Sequence, residues 1–172
     1  MLLPIGERIR PSIQAMEERT MKQLNTFEDA IRFAIKHEEG EAKFYEGMAE
    51  RSKSADQKKA MLGHAAEEYD HKRRLEAILA KGHLPVSTRI VADPDMKIAE
   101  MLVVEDRGGT IGYEDALVLA AKREKQASGF YQALAKTAPS GELAEVFSFL
   151  AEQEAKHGKQ IEQKYDDAQR EG

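Results

Sequence analysis

Apolar residues recur every three or four positions along four stretches of this chain, and each stretch reads as an amphipathic helix. The first spans Thr26 to Arg51, with Thr26 as N-cap and Glu28 and Asp29 well placed against the helix dipole. The second spans Ser54 to Lys81 and stops at Gly82, with Pro85 beyond. The third spans Tyr113 to Lys136, entered after Gly108-Gly109 and closed before Pro139. The fourth spans Ser140 to Asp167. No stretch alternates with period two long enough to require a sheet, so the fold class is all-α. Residues 82–112 hold Pro85, Pro94, Gly108, Gly109 and Gly112, with a short helix expected over Asp95 to Val104. Residues 1–25 carry Pro4 and Pro11 and read as a partly helical N-terminal arm ahead of a bundle over 26–169.

The two halves repeat. Shifted by 86 residues without a gap, positions 27–77 match positions 113–163 at fourteen of 51 places, among them Glu38, Tyr45, Glu68 and His71. Each half is therefore one helical hairpin, and neither can bury its stripe alone. Two hairpins make a four-helix bundle. If a two-fold axis across the bundle relates them, the chain must pass from one end to the other between the second and third helices. A helix of this length spans about 39 Å, which roughly 12 extended residues cover. The 31 residues of 82–112 suffice. A long central crossover is the ferritin-like topology.

Composition narrows the chemistry. The formal charge is 26 minus 31, or −5, which gives no reason to expect nucleic acid binding, since that requires a basic patch. There is no cysteine, which excludes disulfides, iron–sulfur clusters and thiol catalysis within this sequence. No apolar run approaches 18 residues and the start lacks a signal-peptide pattern, so no membrane association and a cytoplasmic location are expected.

The helical stripes carry acids at their centres. Ile31, Glu38 and Tyr45 share a heptad position, as do Ala34, Glu41 and Met48. Met61, Glu68 and Leu75 line up, with His71 one turn after Glu68. Leu117, Glu124 and Tyr131 run beside Ala120, Ala127 and Leu134, and Phe147, Glu154 and Ile161 run beside Leu150, His157 and Lys164. Burying one unpaired carboxylate costs several kcal/mol, and four together repel. No Lys or Arg is expected on the seam at these levels. Two divalent cations balance four Glu, and two neutral imidazoles complete the set. Oxygen-rich ligation with one imidazole per metal suits iron or manganese, and zinc less distinctively. His37, His64 and His83 read as surface or packing residues.

One Glu from each of two helices and a Glu-x-x-His from each of the other two is the rule for di-metal carboxylate bundles. On EEGEAKFY (38–45), EEYDH (67–71), REKQASGFY (123–131) and EQEAKH (152–157), the chain resembles a rubrerythrin-type member of the ferritin-like superfamily. The resemblance covers roughly residues 26–167. It implies Glu38 and Glu124 as terminal metal ligands, Glu68 and Glu154 as bridges, and His71 and His157 as one ligand to each of two iron ions. Tyr45 and Tyr131 would donate hydrogen bonds to ligand carboxylates, and Glu67 and Gln153, each four residues before its His, could face a free ring nitrogen.

The sequence departs from the family in two ways. Classical rubrerythrins carry a rubredoxin domain with four Cys, whereas this sequence has none, so a separate electron donor such as a rubredoxin-like protein is expected. The family's extra Glu, three residues after the third-helix ligand, is here Ala127. Glu41, at the pseudo-symmetric place, is the candidate to supply that extra carboxylate. The resemblance implies a di-iron oxidoreductase that reduces hydrogen peroxide in oxidative-stress defence. The alternatives are ferroxidase or iron-handling activity on dioxygen, since the doubled Glu and Glu-x-x-His set also resembles the bacterioferritin site, and non-catalytic metal binding. A homo-oligomer is expected, a dimer being the simplest form, and hairpin exchange is physically easy with a long crossover.

Overall fold

The computed structural model describes residues 24–90 and 112–171. Four helices form: α1 (Phe27–Arg51), α2 (Ala55–Ala80), α3 (Tyr113–Thr137) and α4 (Gly141–Glu171). The first three match the sequence pattern to within a residue or so, and α4 runs four residues past the expected Asp167. All but the last two residues of the expected arm, the short helix over Asp95–Val104 and the Gly108-Gly109 turn lie outside the described residues.

The helix boundaries have local causes. Thr26 and Asp29 form a reciprocal capping box at the start of α1. The Phe27 and Glu28 amides, orphaned by their position in the first turn, donate to the carbonyls of Thr88 and Val86 at 3.1 and 2.7 Å. The chain leaving α2 therefore folds back over the start of α1, and Thr26 and Arg89 form an isolated bridge. Ser54 caps α2 through the Gln57 amide. Beyond α2, Gly82 takes φ 65°, the left-handed turn that ends the helix at low steric cost.

α1 packs on α2 and α3 packs on α4, giving two hairpins. Their directions follow from the core. Ile31, Leu75, Tyr131 and Phe147 belong to one buried apolar cluster. Tyr45, Met61, Leu117 and Ile161 belong to another. Each helix thus runs from one cluster to the other, α1 and α4 in one direction, α2 and α3 in the opposite one. Since α2 ends in the first cluster and α3 begins in the second, the intervening chain has to travel the length of the bundle. This is the ferritin-like arrangement. The first cluster is aromatic, with Phe147 between Phe27 and Tyr131 at ring-centroid distances of 6.1 and 6.4 Å. Between the clusters, half-way along every helix, stands a glutamate. Among the described residues no helix is long and apolar enough to cross a membrane.

Candidate metal centre

Glu38, Glu68, Glu124 and Glu154 occupy the mid-helix positions of α1, α2, α3 and α4, and each is at most 2% exposed. Seven residues along each seam in either direction lies an apolar residue of one cluster or the other. The heptad spacing therefore places all four carboxylates in one layer. His71 and His157, one turn after Glu68 and Glu154, project into the same layer and are buried.

The layer divides into two groups whose ligand atoms lie within 4.8 Å of one another: Glu38, Glu68, His71 and Glu154 in one, Glu68, Glu124, Glu154 and His157 in the other. Glu68 and Glu154 belong to both. In each histidine Nδ1 faces inward. His71 Nδ1 lies 3.0 Å from Glu68 and 2.8 Å from Glu154. His157 Nδ1 lies 3.0 Å from Glu68 Oε1.

These contacts are close without all being hydrogen bonds. Glu68 Oε1, Glu154 Oε1 and His157 Nδ1 are buried with no hydrogen-bond partner. Lone-pair atoms that crowd together without aligning on one another converge on a point in space. That is the geometry a cation satisfies, and the buried Glu/His groups are able to hold metal. Oxygen donors with one imidazole each fit a borderline divalent ion of the iron or manganese type.

Without metal, the site cannot carry four negative charges. Burial pushes Glu38 up and Glu154 well above the usual carboxylate range. Burial likewise pushes Glu124 up to about 7. Burial works upward on Glu68 too, but contacts with His157 and His71 outweigh it and hold it at about 2. For His71, burial works downward, and the contacts with Glu154, Glu38 and Glu68 overcome it, giving about 12. Metal-free, the layer is held together by protons.

Tyr45 and Tyr131 lie one heptad beyond Glu38 and Glu124 and are fully buried. Their hydroxyls donate across the hairpins, Tyr45 to Glu124 Oε1 and Tyr131 to Glu38 Oε1. Burial first, then the neighbouring carboxylates, raise both phenols well above their ordinary value, so they stay protonated donors. Glu38 and Glu124 are thereby each oriented by the opposite half of the molecule.

Glu41 is buried but stands outside both groups. Its carboxylate takes three hydrogen bonds from the Arg123 guanidinium at 2.6 to 2.9 Å, and that guanidinium also lies 4.8 Å over the Phe44 ring. The expectation that no Lys or Arg stands on the seam is corrected here: Arg123 crosses from α3 to α1, because a long side chain that heptad counting leaves at the seam edge can reach across to a carboxylate on the seam. Arg123→Ala is expected to destabilise the metal-free protein by about 3–5 kcal/mol, since it leaves a buried carboxylate unpaired. Adding Glu41→Gln should restore most of this. Urea melts of the two variants check it, and a single variant as stable as the parent would show that the pair contributes little.

The sequence reads His37, His64 and His83 as surface or packing residues and Glu67 as one that could face a free ring nitrogen. His64 is buried, stacked on Tyr45 at 5.1 Å and edge-on to His157 at 5.2 Å. Burial holds its imidazole down at about 4, so it is neutral. Its position one heptad before His71 was the available signal. Glu67 does meet a ring nitrogen, but that of His157 across the bundle, at 2.5 Å, and not that of His71 on its own helix. His37 lies 3.6 Å from Glu41, and His83 is exposed beside Glu142.

Compared with known families, the chain matches the rubrerythrin family model over residues 29–103 and 115–171. Comparisons with curated proteins and with solved structures gave no significant match.

Proposed function

The chain belongs to the rubrerythrin family, a di-iron family of the ferritin-like superfamily, and from that premise we propose that it is an oxidoreductase reducing hydrogen peroxide at a centre of two iron ions. The observation that carries the reading is the convergence of six side chains, two of them shared by both groups, on two points inside the bundle. We assign Glu38, Glu68, His71 and Glu154 to one iron and Glu68, Glu124, Glu154 and His157 to the other. Two ferrous ions held there would supply two electrons, which with two protons reduce one hydrogen peroxide to two water molecules.

The chain's own residues do the rest. Glu68 and Glu154 belong to both groups and would hold both ions. Tyr45 and Tyr131 keep the terminal carboxylates turned inward. The apolar clusters above and below the layer exclude bulk water, which strengthens every charge interaction within it. The sequence contains no cysteine, so electrons are proposed to arrive from a separate redox protein of the rubredoxin type.

Stopped-flow mixing of the ferrous-loaded protein with peroxide or with dioxygen tests this. Peroxide is expected to oxidise two irons per molecule consumed, at least about 100-fold faster than it oxidises free Fe²⁺ (about 2.7 kcal/mol of barrier). Faster reaction with dioxygen would favour ferroxidase chemistry instead. Oxidation no faster than that of free Fe²⁺ would favour non-catalytic metal binding.

A further inference from the structure

The six candidate ligands repeat between the two hairpins, but the residues behind the histidines do not. Both imidazoles turn Nδ1 into the carboxylate layer, which leaves Nε2 as the outer nitrogen. Behind His157, Nε2 meets the carboxylate of Glu67 at 2.5 Å, a charge-assisted contact made from α2 to α4. Applying the 86-residue repeat, the counterpart of Glu67 is Gln153, on α4 and four residues before His157. A glutamine carries no charge. The symmetry that places the ligands is therefore broken at the position behind each ligand.

The consequence is chemical. A carboxylate accepting the Nε2–H fixes the tautomer with its lone pair on Nδ1 and makes that nitrogen a stronger donor. A neutral amide can at most orient the ring. Arg123 and Glu41, present on one side only, cancel each other as a pair, and in the groove beside Glu67 the charges of Lys164 and Asp167 oppose each other. Glu67 itself is half exposed, in a groove of about 370 Å³ that it lines with His64, Gln160, Gln163, Lys164 and Asp167. The charge therefore costs little to keep, while its effect falls on a fully buried imidazole.

We propose that Glu67 is a positioning residue that makes the two metal positions unequal, the one at His157 being the tighter. This rests on the di-metal reading above. Metal-free protein titrated with Co²⁺, followed by calorimetry and absorption, is expected to show two steps separated by about 10- to 100-fold. Crystals given one equivalent of Co²⁺ should show the stronger anomalous peak beside His157. Glu67→Gln is expected to weaken the tighter step about tenfold and leave the other in place. Gln153→Glu should tighten the His71 position, and the double variant should reverse the order of filling. The metal-free melting temperature should hardly move in Glu67→Gln, which separates an effect on the imidazole from an effect on folding. Two ions that fill equally in the parent, or an order unchanged in the variants, would overturn the inference and leave the di-metal reading intact. A parent protein that takes up no Co²⁺ would overturn both.

Discussion

Glu68→Gln is expected to weaken metal binding at both positions by at least about 100-fold, more than the loss of any partner outside the ligand set. The reason is that Glu68 belongs to both groups of converging atoms. Each of its oxygens faces a different imidazole, Oε2 toward His71 and Oε1 toward His157. An amide offers one oxygen and no charge, so neither position keeps its bridge. Glu154→Gln should behave alike, whereas Glu38→Gln and Glu124→Gln should each impair one position only. Metal content after equilibrium dialysis, measured beside circular dichroism to verify the fold, distinguishes these outcomes. Retention of one full equivalent by Glu68→Gln would mean that the carboxylate is not shared.

Chelation is expected to produce the largest change in stability. An ion present at about a thousand times its dissociation constant adds about 4 kcal/mol, so two add about 8. For a chain of this size that corresponds to a melting-temperature difference of roughly 15–30 °C. The gap should widen with pH. Glu124, raised to about 7, is protonated in the folded metal-free protein and ionised in the unfolded chain above 4.5, so its contribution is lost as pH rises through 7. His71, raised to about 12, contributes stability that is full below 6.5 and declines as pH rises above that. Each such proton is worth about 1.4 kcal/mol per pH unit only between its unfolded and folded values, so above pH 7 the slope comes from His71. His64 works the other way, but only between 6.5 and about 4. Between pH 7 and 9 the metal-free protein should therefore lose stability, while the loaded protein, whose cations replace those protons, should not. Calorimetric scans of both forms across that range check the sign. A gap that narrows as pH rises would show that cations do not take the place of protons in this layer.

Much of this centre was legible before any coordinates. Glu38, Glu68, Glu124 and Glu154 each lie at the middle of a heptad stripe that is otherwise apolar, and the 86-residue repeat doubles the pattern. A periodic stripe fixes which face of a helix is buried, so it also fixes which acids are buried with it. The spacing of His71 and His157 from their glutamates needed only helix geometry. The N-cap at Thr26 and the stop at Gly82 were local for the same reason: both depend on a few adjacent residues.

What lay outside that reach was contact between helices. Heptad counting places Glu41 on the seam but says nothing of Arg123, which reaches it from another hairpin and takes its carboxylate. It places Glu67 one turn before His71, yet the carboxylate meets His157. It reads His64 as a surface or packing residue without saying what it packs against, which the fold shows to be Tyr45 and His157.

The sequence by itself determined the helices, their buried faces, the pairing into hairpins and the six side chains of the central layer, because all of these follow from periodicities along one chain. Only the tertiary structure decided which carboxylate each tyrosine orients, which acid Arg123 neutralises and which imidazole Glu67 supports. Those choices depend on how far a long side chain reaches across a groove, and one-dimensional spacing does not encode the rotation and offset of neighbouring helices.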